Sequence, residues 1–488
     1  MSIALVWFRR DLRLADNRAL SAACARHQRV VPVYIHAPDE EAPWPPGAAS
    51  RSWLHRSLAA LCADLGECGA TLAIRHGPAL QALRQLIQES KACAVHWNRL
   101  YEPAVIARDR AVKEALLSDG LEAESFNGAL LFEPWTLSTA AGGPYRVFTP
   151  YWRAAAQPLA QLQVPLPAPK LAKKVPAVAG SPLAELDLAP RHAWDGGFYH
   201  ADGWNPGERG ASARLEQFCD GIAPQYREAR DLPGTDGTSR MSPHLHFGEI
   251  SPRQIVWRLR QLAEEAGSAA LETQIEHYLR QLGWREFAHH LLFHFPETSD
   301  SPLDRRFAAF AWRTADDSAA DLHAWQRGRT GFPIVDAGMR ELWHTGWMHN
   351  RVRMIAASLL AKNLLIPWQQ GARWFWDTLL DANLANNALG WQWTAGCGAD
   401  AAPYFRVFNP ILQSAKFDPQ GRYLRRWLPE LANLPGQHLA APWQAPAAVL
   451  GQAGITLGRD YPLPIVRLDS SRQRALAAYQ RLRSTEHD

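Results

Sequence analysis

Cysteine is scarce in this sequence: there are six in 488 residues, at positions 24, 62, 68, 93, 219 and 397. They form no Cys-x-x-Cys pair and have no histidine at the spacing of a metal-binding motif. The sequence therefore predicts neither a disulfide scaffold nor a metal site. Reduced cysteines are the simplest interpretation, and they lead us to expect a cytoplasmic protein.

Long apolar runs are absent as well. None approaches the roughly 20 residues that a membrane-spanning helix requires, so we expect no membrane partner. Residues 1–10 contain a short apolar run, and their charges follow that run instead of preceding it. This order is the reverse of a secretory signal peptide, and none is expected.

The composition is otherwise that of a globular protein, with 47% hydrophobic and 20% charged residues. Its length favours two domains and a linker. The 21 tryptophans are more than core packing usually needs, so we expect some of them to serve a ligand or electron transfer. A net charge of +4 permits an anionic partner without requiring one.

The first 130 residues alternate short apolar runs with helical patterns. The predicted strands are Ile3–Phe8, Val30–His36, Thr71–Ile74 and Ala92–Trp97. The predicted helices are Arg51–Gly66, Ala79–Glu89 and Val105–Leu117. This alternation predicts an α/β domain with a doubly wound parallel sheet over 1–130. No Gly-x-Gly-x-x-Gly follows a strand, so a dinucleotide-binding fingerprint is not supported.

The strand–helix pattern stops at about residue 131. Residues 131–204 are predicted to be an interdomain linker, because 155–190 is rich in Pro and Ala and poor in aromatics. From 205 to 488 helical periodicity dominates, which predicts a large all-α domain. Its clearest predicted helices are Ser212–Phe218, Pro252–Glu265, Leu271–His294, Pro333–Trp343, Asn350–Leu364 and Gly371–Leu380, with a last short helix at Arg472–Arg483.

The segment 237–243, Gly-Thr-Ser-Arg-Met-Ser-Pro, is a candidate anion site. Ser242 before Pro243 predicts an N-cap and a first helical residue. Hydroxyls, backbone N–H groups and Arg240 would then converge on a phosphate at the positive end of a helix. An ordinary capped helix start is the alternative.

Two further stretches suit a planar heteroaromatic ligand. In the predicted helix around 278–287, spacings of three and four place Tyr278, Gln281 and Trp284 or Arg285 on one face. In 381–393, DANLANNALGWQW, amides and a carboxylate stand beside two indoles. The alternatives are a buried amphipathic helix for the first stretch and a helix end with a glycine-rich turn for the second.

These blocks resemble the DNA photolyase/cryptochrome family. The stretch 381–393 and the following GADAAPYFRVFNP at 398–410 are similar to its flavin-binding signature, and further blocks recur from Trp7 to about Asp418. The resemblance implies an antenna domain followed by an FAD-binding catalytic domain. It is greatest to enzymes that repair cyclobutane pyrimidine dimers, which implies damaged DNA as the partner, reduced FAD as the photoexcited electron donor, and a monomer.

The family's flavin contacts carry over to matching positions in this chain. Arg353 is expected to pair with Asp381 near the flavin ring, and Asn387 to face flavin N5. Asn383 stands where the family has Asp, a departure that should ease formation of the anionic reduced flavin. The implied FAD-binding residues are Tyr226, Thr238, Ser239, Arg240, Met241, Ser242, Tyr278, Arg353, Asp381, Asn383 and Asn387.

The substrate residues favour dimer repair but leave alternatives open. Asn350 and Met354 match the dimer-repairing branch, since (6-4) photolyases have His at both positions. Gln281 stands where dimer-repairing enzymes have Glu, and Trp284 and Trp393 match an aromatic clamp around the flipped dimer. A cryptochrome photoreceptor, favoured by Gln281 and Asn383, is the main alternative. Asn387, Met354, Trp393 and the lack of a long tail oppose it, and a (6-4) photolyase is less favoured still.

Three more groups of residues carry over from the resemblance. Trp391, Trp368 and Trp312 are predicted to pass electrons to FAD, and Trp325 is predicted to be structural. Arg230, Arg285 and Arg351 are predicted to contact DNA. Glu102 matches a glutamate that contacts methenyltetrahydrofolate, which makes that folate a candidate second chromophore.

Overall fold

The computed structural model describes residues 2–171, 178–200, 203–401 and 406–484. Part of the motif at 398–410, residues 402–405, lies outside the described residues. The chain forms two compact units. The first unit comprises Met1–Pro224, Ser239–Pro296 and Leu380–Ala385, and the second comprises Gln225–Thr238, Glu297–Leu379 and Asn386–Asp488. The functional bounds 1–130, 131–204 and 205–488 stay a prediction.

A parallel five-stranded sheet organises the first unit. Its strands are β1 (Ile3–Phe8), β2 (Arg29–His36), β3 (Ala73–His76), β4 (Ala94–Asn98) and β5 (Glu122–Phe126), in the order β3-β2-β1-β4-β5. The predicted α/β class and its four strands are confirmed. The sequence analysis missed β5, because this edge strand reads Glu-Ala-Glu-Ser-Phe and lacks the apolar run of a strand buried on both faces.

The helices, in chain order, complete both units. The first ten are α1 (Arg18–Arg26), α2 (Ala48–Glu67), α3 (Ala79–Ser90), α4 (Pro103–Ser118), α5 (Phe148–Ala160), α6 (Glu208–Gln217), α7 (Tyr226–Ala229), α8 (Ser242–His246), α9 (Pro252–Ala266) and α10 (Ala269–His294). The others are α11 (Ala315–Gln326), α12 (Pro333–Thr345), α13 (Asn350–Ser358), α14 (Trp368–Thr378), α15 (Leu384–Ala395), α16 (Pro410–Phe417), α17 (Arg422–Trp427), α18 (Gly436–Leu439), α19 (Ala447–Gln452) and α20 (Leu468–Ser484).

Helices cover both faces of the sheet, as a doubly wound arrangement requires. On one face, Leu20 of α1 and Trp53 of α2 belong to a single buried cluster with alternate residues of β1. On the other face, Leu83 of α3 and Leu116 of α4 pack against the remaining ones. This two-sided burial explains why the strands could be predicted from continuous apolar runs.

The predicted helices of the all-α region are confirmed, with bounds shifted by a few residues. The largest difference is in the helix predicted over 350–364. There α13 ends at Ser358, and the chain continues as a π-helical turn over Leu359–Asn363. None of the helices in the described parts of the chain is both long and apolar enough to cross a bilayer.

The segment predicted as a surface linker carries ordered structure. Within it, α5 packs on α10, where the Phe148 ring stacks on Trp284 with 3.8 Å between centroids. Farther along, Leu186, Leu188 and Phe198 are buried in the sheet cluster of the first unit. Apolar residues scattered between prolines have no periodicity, so this packing could not be predicted from a local pattern.

Candidate functional site

In the first unit, the segment Ser239–Ser242 forms a tight, braced turn. Arg240 adopts a left-handed conformation with φ +53, which is costly for a non-glycine residue and typical of functional turns. Arg214 Nε donates to the Ser239 carbonyl over 2.8 Å, and Tyr278 Oη donates to Ser239 Oγ over 3.1 Å. The backbone N–H of Met241 also points at Ser239 Oγ, 3.4 Å away. The turn is thus held from α6 and α10.

The helix that follows this turn is shorter than the anion-site argument assumed. Ser242 is the first residue of α8 and Met241 is its N-cap, so the predicted N-cap at Ser242 is wrong by one residue. With five residues, α8 has little dipole to offer a phosphate. Anion binding at this turn must therefore come mainly from hydroxyls, backbone N–H groups and the Arg240 guanidinium, which lies 5.2 Å from the Trp204 ring centroid.

The predicted ligand face of α10 contains both half-buried and buried residues. Tyr278 is buried, and Gln281 and Trp284 are half-buried. Arg285, predicted to contact DNA, is buried and pairs with Glu286 over 3.1 Å. Its side chain is 10% exposed, so little of the guanidinium faces solvent, and its contact with a phosphate stays a prediction. The spacing of residues along α10 predicted which of them share a face, but it could not predict which of them are buried.

Asn383 takes part in a hydrogen-bond chain that the sequence analysis missed. His289 Nδ1 donates to the Arg285 carbonyl over 2.8 Å, and Asn383 Nδ2 donates to His289 Nε2 over 3.3 Å. Using one ring nitrogen as donor and the other as acceptor requires a neutral imidazole. Burial, together with the nearby Arg285 charge, lowers the pKa of His289 to about 3, so the ring is neutral at physiological pH. Asp381 and Asn383 are both buried, at 8% exposure each.

Glu102, the predicted antenna residue, lies at the carboxyl edge of the sheet. It precedes α4, just beyond β4, and pairs with Arg10, just beyond β1, over 2.7 Å. The chain leaves β1 and β4 in opposite directions along the sheet, so this is the topological switch point where open α/β sheets bind ligands. Burial also raises the pKa of Glu41, which faces the same Arg10.

In the second unit, Asn387 is oriented by α14. Its Nδ2 donates to the Ala372 carbonyl over 3.0 Å, which fixes the amide and leaves Oδ1 as its acceptor. Tyr226 is buried, and the Arg230 guanidinium lies 5.4 Å from its ring centroid. Thr238 is half-buried.

The start of α13 brings the two lesion-discriminating positions together. Asn350 and Met354 are one helical turn apart, with Asn350 Nδ2 3.9 Å from Met354 Sδ. Arg351 pairs with Asp231 over 2.9 Å and remains partly exposed. Arg353 Nε donates to the Met348 carbonyl over 2.7 Å. The pair expected between Arg353 and Asp381 stays a prediction.

Buried aromatic rings surround Trp391 of α15. Its ring meets Phe375 at 5.1 Å and Trp325 at 6.1 Å between centroids, both edge to face. Trp325 is fully buried and donates its indole N–H to the Ala356 carbonyl over 3.0 Å. Trp368 is buried at the start of α14. Trp325 is far from Trp391 in sequence, so its contact with the Trp391 ring could not be predicted from the sequence.

The other two tryptophans of interest are less enclosed. Trp312 is half-buried beside Phe310, with 4.5 Å between ring centroids. Trp393 of α15 is also half-buried. Their roles in electron transfer and in the clamp stay predictions.

The donor set of these residues fits FAD. Ser239, Thr238 and the strained Arg240 turn supply hydroxyls, backbone N–H groups and a fixed positive charge, which suit a pyrophosphate. Asn383 and Asn387 are held by hydrogen bonds to protein, so each amide has the defined orientation that a contact with a planar ring system requires. FAD-binding proteins need both kinds of contact.

Comparison with known proteins gives the family. Residues 4–170 match the family profile described as DNA photolyase, and residues 278–481 match the FAD binding domain of DNA photolyase. The chain is 48% identical to deoxyribodipyrimidine photo-lyase of Agrobacterium fabrum over 99% of its own length and 98% of that protein. It is 40% identical to Cryptochrome-2 of Arabidopsis thaliana, over 99% of this chain and 79% of that one.

A solved structure agrees with these matches. The bacterial class III photolyase from Agrobacterium tumefaciens superposes with a TM-score of 0.93 at 46% identity, covering 99% of this chain and 98% of that one. The shared fold extends over both compact units and includes the FAD-binding region. The chain therefore belongs to the DNA photolyase/cryptochrome family and carries that family's FAD-binding domain.

Proposed function

We propose that this protein is an enzyme that repairs cyclobutane pyrimidine dimers in DNA with light. The observation that carries the proposal is the pair Asn350 and Met354, adjacent on one face of α13. Neither side chain can act as a general acid at neutral pH. A mechanism that needs a protonated histidine at these positions, as a (6-4) photolyase does, is therefore disfavoured.

Bound FAD in its reduced form would supply the chemistry, which is light-driven electron donation to the dimer with return of the electron. The chain's part is to bind and orient. Ser239, Arg240 and Thr238 would hold the pyrophosphate. Asn387, whose amide is oriented by the bond from Nδ2 to the Ala372 carbonyl, would face flavin N5 with its Oδ1.

By this proposal, Gln281, Trp284 and Trp393 are residues that contact the lesion. Gln281 bonds the carbonyl edge of the dimer through its amide, as donor and acceptor, but supplies no proton or charge. Phe148 covers one face of Trp284, so the opposite face of this indole stacks on a base. Trp393 closes the clamp. Photolyases are themselves among the enzymes that extrude their target nucleotide from the duplex.

DNA binding rests on arginines other than the residues that contact the lesion. Arg351, Arg230 and the largely buried Arg285 are the proposed phosphate contacts. Such contacts make binding sensitive to salt and nearly indifferent to sequence. We also propose that the protein acts as a monomer in the cytoplasm. All six cysteines are unpaired, as in a reducing compartment.

A second chromophore completes the proposal. The partly buried Arg10–Glu102 pair stands at the switch point of the sheet, where open α/β sheets bind ligands, and offers both charges to a folate. Methenyltetrahydrofolate is the candidate. Its addition to purified protein should produce a near-ultraviolet band that Glu102→Ala abolishes while the flavin spectrum stays unchanged.

The test of the main function is a repair assay. Purified protein is photoreduced and mixed with an oligonucleotide that contains one thymine dimer, and the recovery of thymine absorbance is followed under blue light. We expect recovery in light and none in darkness or with flavin-free protein. A yellow protein that restores no absorbance in light would overturn the repair function while leaving the flavin site intact.

A cryptochrome photoreceptor is the second candidate. It is favoured by Gln281 and Asn383, which both depart from the dimer-repairing pattern. A photoreceptor photoreduces its flavin but does not turn over damaged DNA. Failure of repair together with normal flavin photoreduction would therefore favour this alternative.

A further inference from the structure

Two histidines and a glutamate meet on the α1 side of the sheet, toward the amino ends of β4 and β5. His96 Nε2 lies 3.3 Å from Glu122 Oε1, and His27 Nε2 lies 3.8 Å from Glu122 Oε2. The two imidazole rings are 5.4 Å apart and nearly perpendicular. One ligand atom from each residue falls within 4.8 Å of the other two. The Arg10–Glu102 pair is at the opposite edge of the sheet.

The histidines of this cluster are buried and poorly satisfied. The His96 side chain is 0% exposed and that of His27 is 6% exposed. Among the residues that the structure describes, Nδ1 of each histidine has no hydrogen-bond partner, and each Nε2 has only its contact with Glu122. Leaving a buried polar group unpaired costs roughly 1–3 kcal/mol. Such a group in a native core usually marks a bound ion or water.

We propose that His27, His96 and Glu122 form a binding site for one divalent transition-metal ion of the zinc type. Two imidazoles and one carboxylate are a ligand set that Zn²⁺ accepts, with water in the fourth position. Glu122 is 45% exposed, so it supplies both the route of entry and the solvent-facing side of the site. Mg²⁺ and Ca²⁺ are excluded as preferred ions, because they favour oxygen ligands.

The observed spacing is close to what tetrahedral zinc needs. Bonds of about 2.0–2.1 Å place neighbouring ligand atoms roughly 3.3 Å apart. The His96–Glu122 pair already has that separation, at 3.3 Å to Oε1, whereas His27 Nε2 lies 3.8 Å from the other carboxylate oxygen, Oε2. One ligand atom from each of the three residues lies within 4.8 Å of the others, so the site has to contract on binding. His27 follows the end of α1, so a small shift of this helix end is enough to close the site.

Arg26 competes with a metal for the carboxylate. Its guanidinium lies 3.5 Å from Glu122 and also pairs with Glu124 on the same strand. Arg26 is half-exposed and can turn toward Glu124 or solvent when a cation arrives.

A bound ion would tie three elements together. His27 is the C-cap of α1, His96 lies within β4, and Glu122 begins the edge strand β5. Their sequence separations, 69 and 26 residues from their numbering, match no short metal motif. This explains why the sequence analysis predicted no metal site.

The test uses untagged, full-length protein that carries its flavin, stripped with a chelator and desalted. Zn²⁺ is titrated in competition with a chromogenic chelator, with Mg²⁺ in a parallel titration. We expect one zinc ion per chain to bind and a higher melting temperature with zinc, since an ion that binds only the folded state stabilises it. Binding of no zinc would overturn the proposal and indicate that water fills the site.

Variants locate the ion. His27→Gln and Glu122→Gln should each weaken zinc binding by at least about tenfold, because each removes a ligand at the rim without opening the core. Glu124→Gln, on the same face of β5 and beside the same Arg26, is the matched control and should change affinity little. Arg26→Gln should tighten binding. Zinc affinity that is equal in all four variants and the wild type would place the ion elsewhere and refute this site.

Discussion

Asn383 shows how a single amide constrains its neighbour. Because it donates to His289 Nε2, the imidazole must accept there, and its Nδ1–H must point to the Arg285 carbonyl. A carboxylate at this position could not donate, so His289 would either take up a proton to keep both contacts or change tautomer and lose its bond to the Arg285 carbonyl. The departure from the family's Asp and the neutrality of His289 therefore belong together.

The variant Asn383→Asp should lower the midpoint potential of the bound flavin. A carboxylate near the ring opposes an added electron by roughly 1–2 kcal/mol, which corresponds to roughly 40–90 mV for one electron. Spectroelectrochemical titration measures the shift. Asn383→Ala, which adds no charge, is the control and should move the potential far less. A potential that stays put or rises in the Asp variant would contradict this account.

Gln281 is the second departure that can be tested alone. Gln281→Glu restores the carboxyl group of the dimer-repairing pattern, and we expect repair by both proteins but a faster rate in the variant. The physical reason is that a carboxyl can share a proton or charge with the dimer carbonyls, and an amide cannot. Single-turnover repair in blue light gives the rates. Equal rates would mean that the amide costs nothing.

At the scale of elements, α14 and α15 are fitted together around Trp391. A Cβ on Gly371 would lie 2.1 Å from the Trp391 ring and 2.6 Å from Leu360, so only glycine allows this contact. Asn387 of α15 meanwhile donates back to Ala372 of α14. The position of the indole and that of the flavin-facing amide therefore depend on the same helix pair.

Gly371→Ala should disturb both stability and photoreduction. Overpacking of this kind costs about 1–3 kcal/mol, and the displaced Trp391 should slow flavin photoreduction in the presence of an external reductant. Gly390→Ala is the matched control, since nothing lies within 4 Å of its added Cβ and helix propensity gains about 0.5–1 kcal/mol. Gly371→Ala with wild-type melting and photoreduction would show that α14 and α15 separate easily.

Elements were predictable where burial imposes a period. The strands β1 to β4 and the long helices α9, α10 and α12 carry clear apolar patterns and appear nearly where expected. The edge strand β5 and the helix α5 were not predicted, because half-exposed elements tolerate polar and proline residues. Contacts such as Phe148 on Trp284 join residues far apart in sequence and have no local pattern.

Some site residues could be predicted from the sequence and others could not. The flavin and lesion residues were found through the family resemblance, as motif positions. Partners that fix their orientation, such as His289 and Ala372, came only from the structure, because a hydrogen bond across a fold leaves no mark at one position. The burial of Arg285 could not be predicted either, since exposure along an amphipathic helix is set by what packs on it.

At the scale of the whole molecule, His246, His289, His290 and His349 are among the described histidines that are buried in neutral form. Burial is the main cause in each case. It lowers the pKa of His289 to about 3 and that of both His290 and His349 to about 4, and holds the pKa of His246 well below its ordinary value. His290 also donates to the Pro134 carbonyl and accepts from the Tyr145 N–H, which only a neutral ring can do.

Lowering the pH should therefore destabilise the protein already at pH values above those at which carboxylates titrate. Below the ordinary histidine pKa of about 6.5, these histidines bind protons in the unfolded chain but not in the folded protein. The free energy of unfolding therefore falls as pH drops. Each of these histidines contributes about 1 kcal/mol of that loss between pH 7.5 and 5.5.

Melting temperatures across this pH range, in constant salt, are the measurement. His290→Gln keeps one donor and one acceptor without a titrating ring, so its melting temperature should depend less on pH. A wild-type melting temperature that holds steady or rises from pH 7.5 to 5.5 would contradict neutral burial.

The central claim is that this flavin-binding chain repairs cyclobutane dimers. Its most direct test is a side-by-side repair assay in which the reduced protein receives either a cyclobutane thymine dimer or a (6-4) photoproduct in the same oligonucleotide under blue light. The pair Asn350 and Met354 predicts restoration of the first and no change in the second. Restoration of the (6-4) lesion, or of neither lesion by protein with fully reduced FAD, would contradict the account.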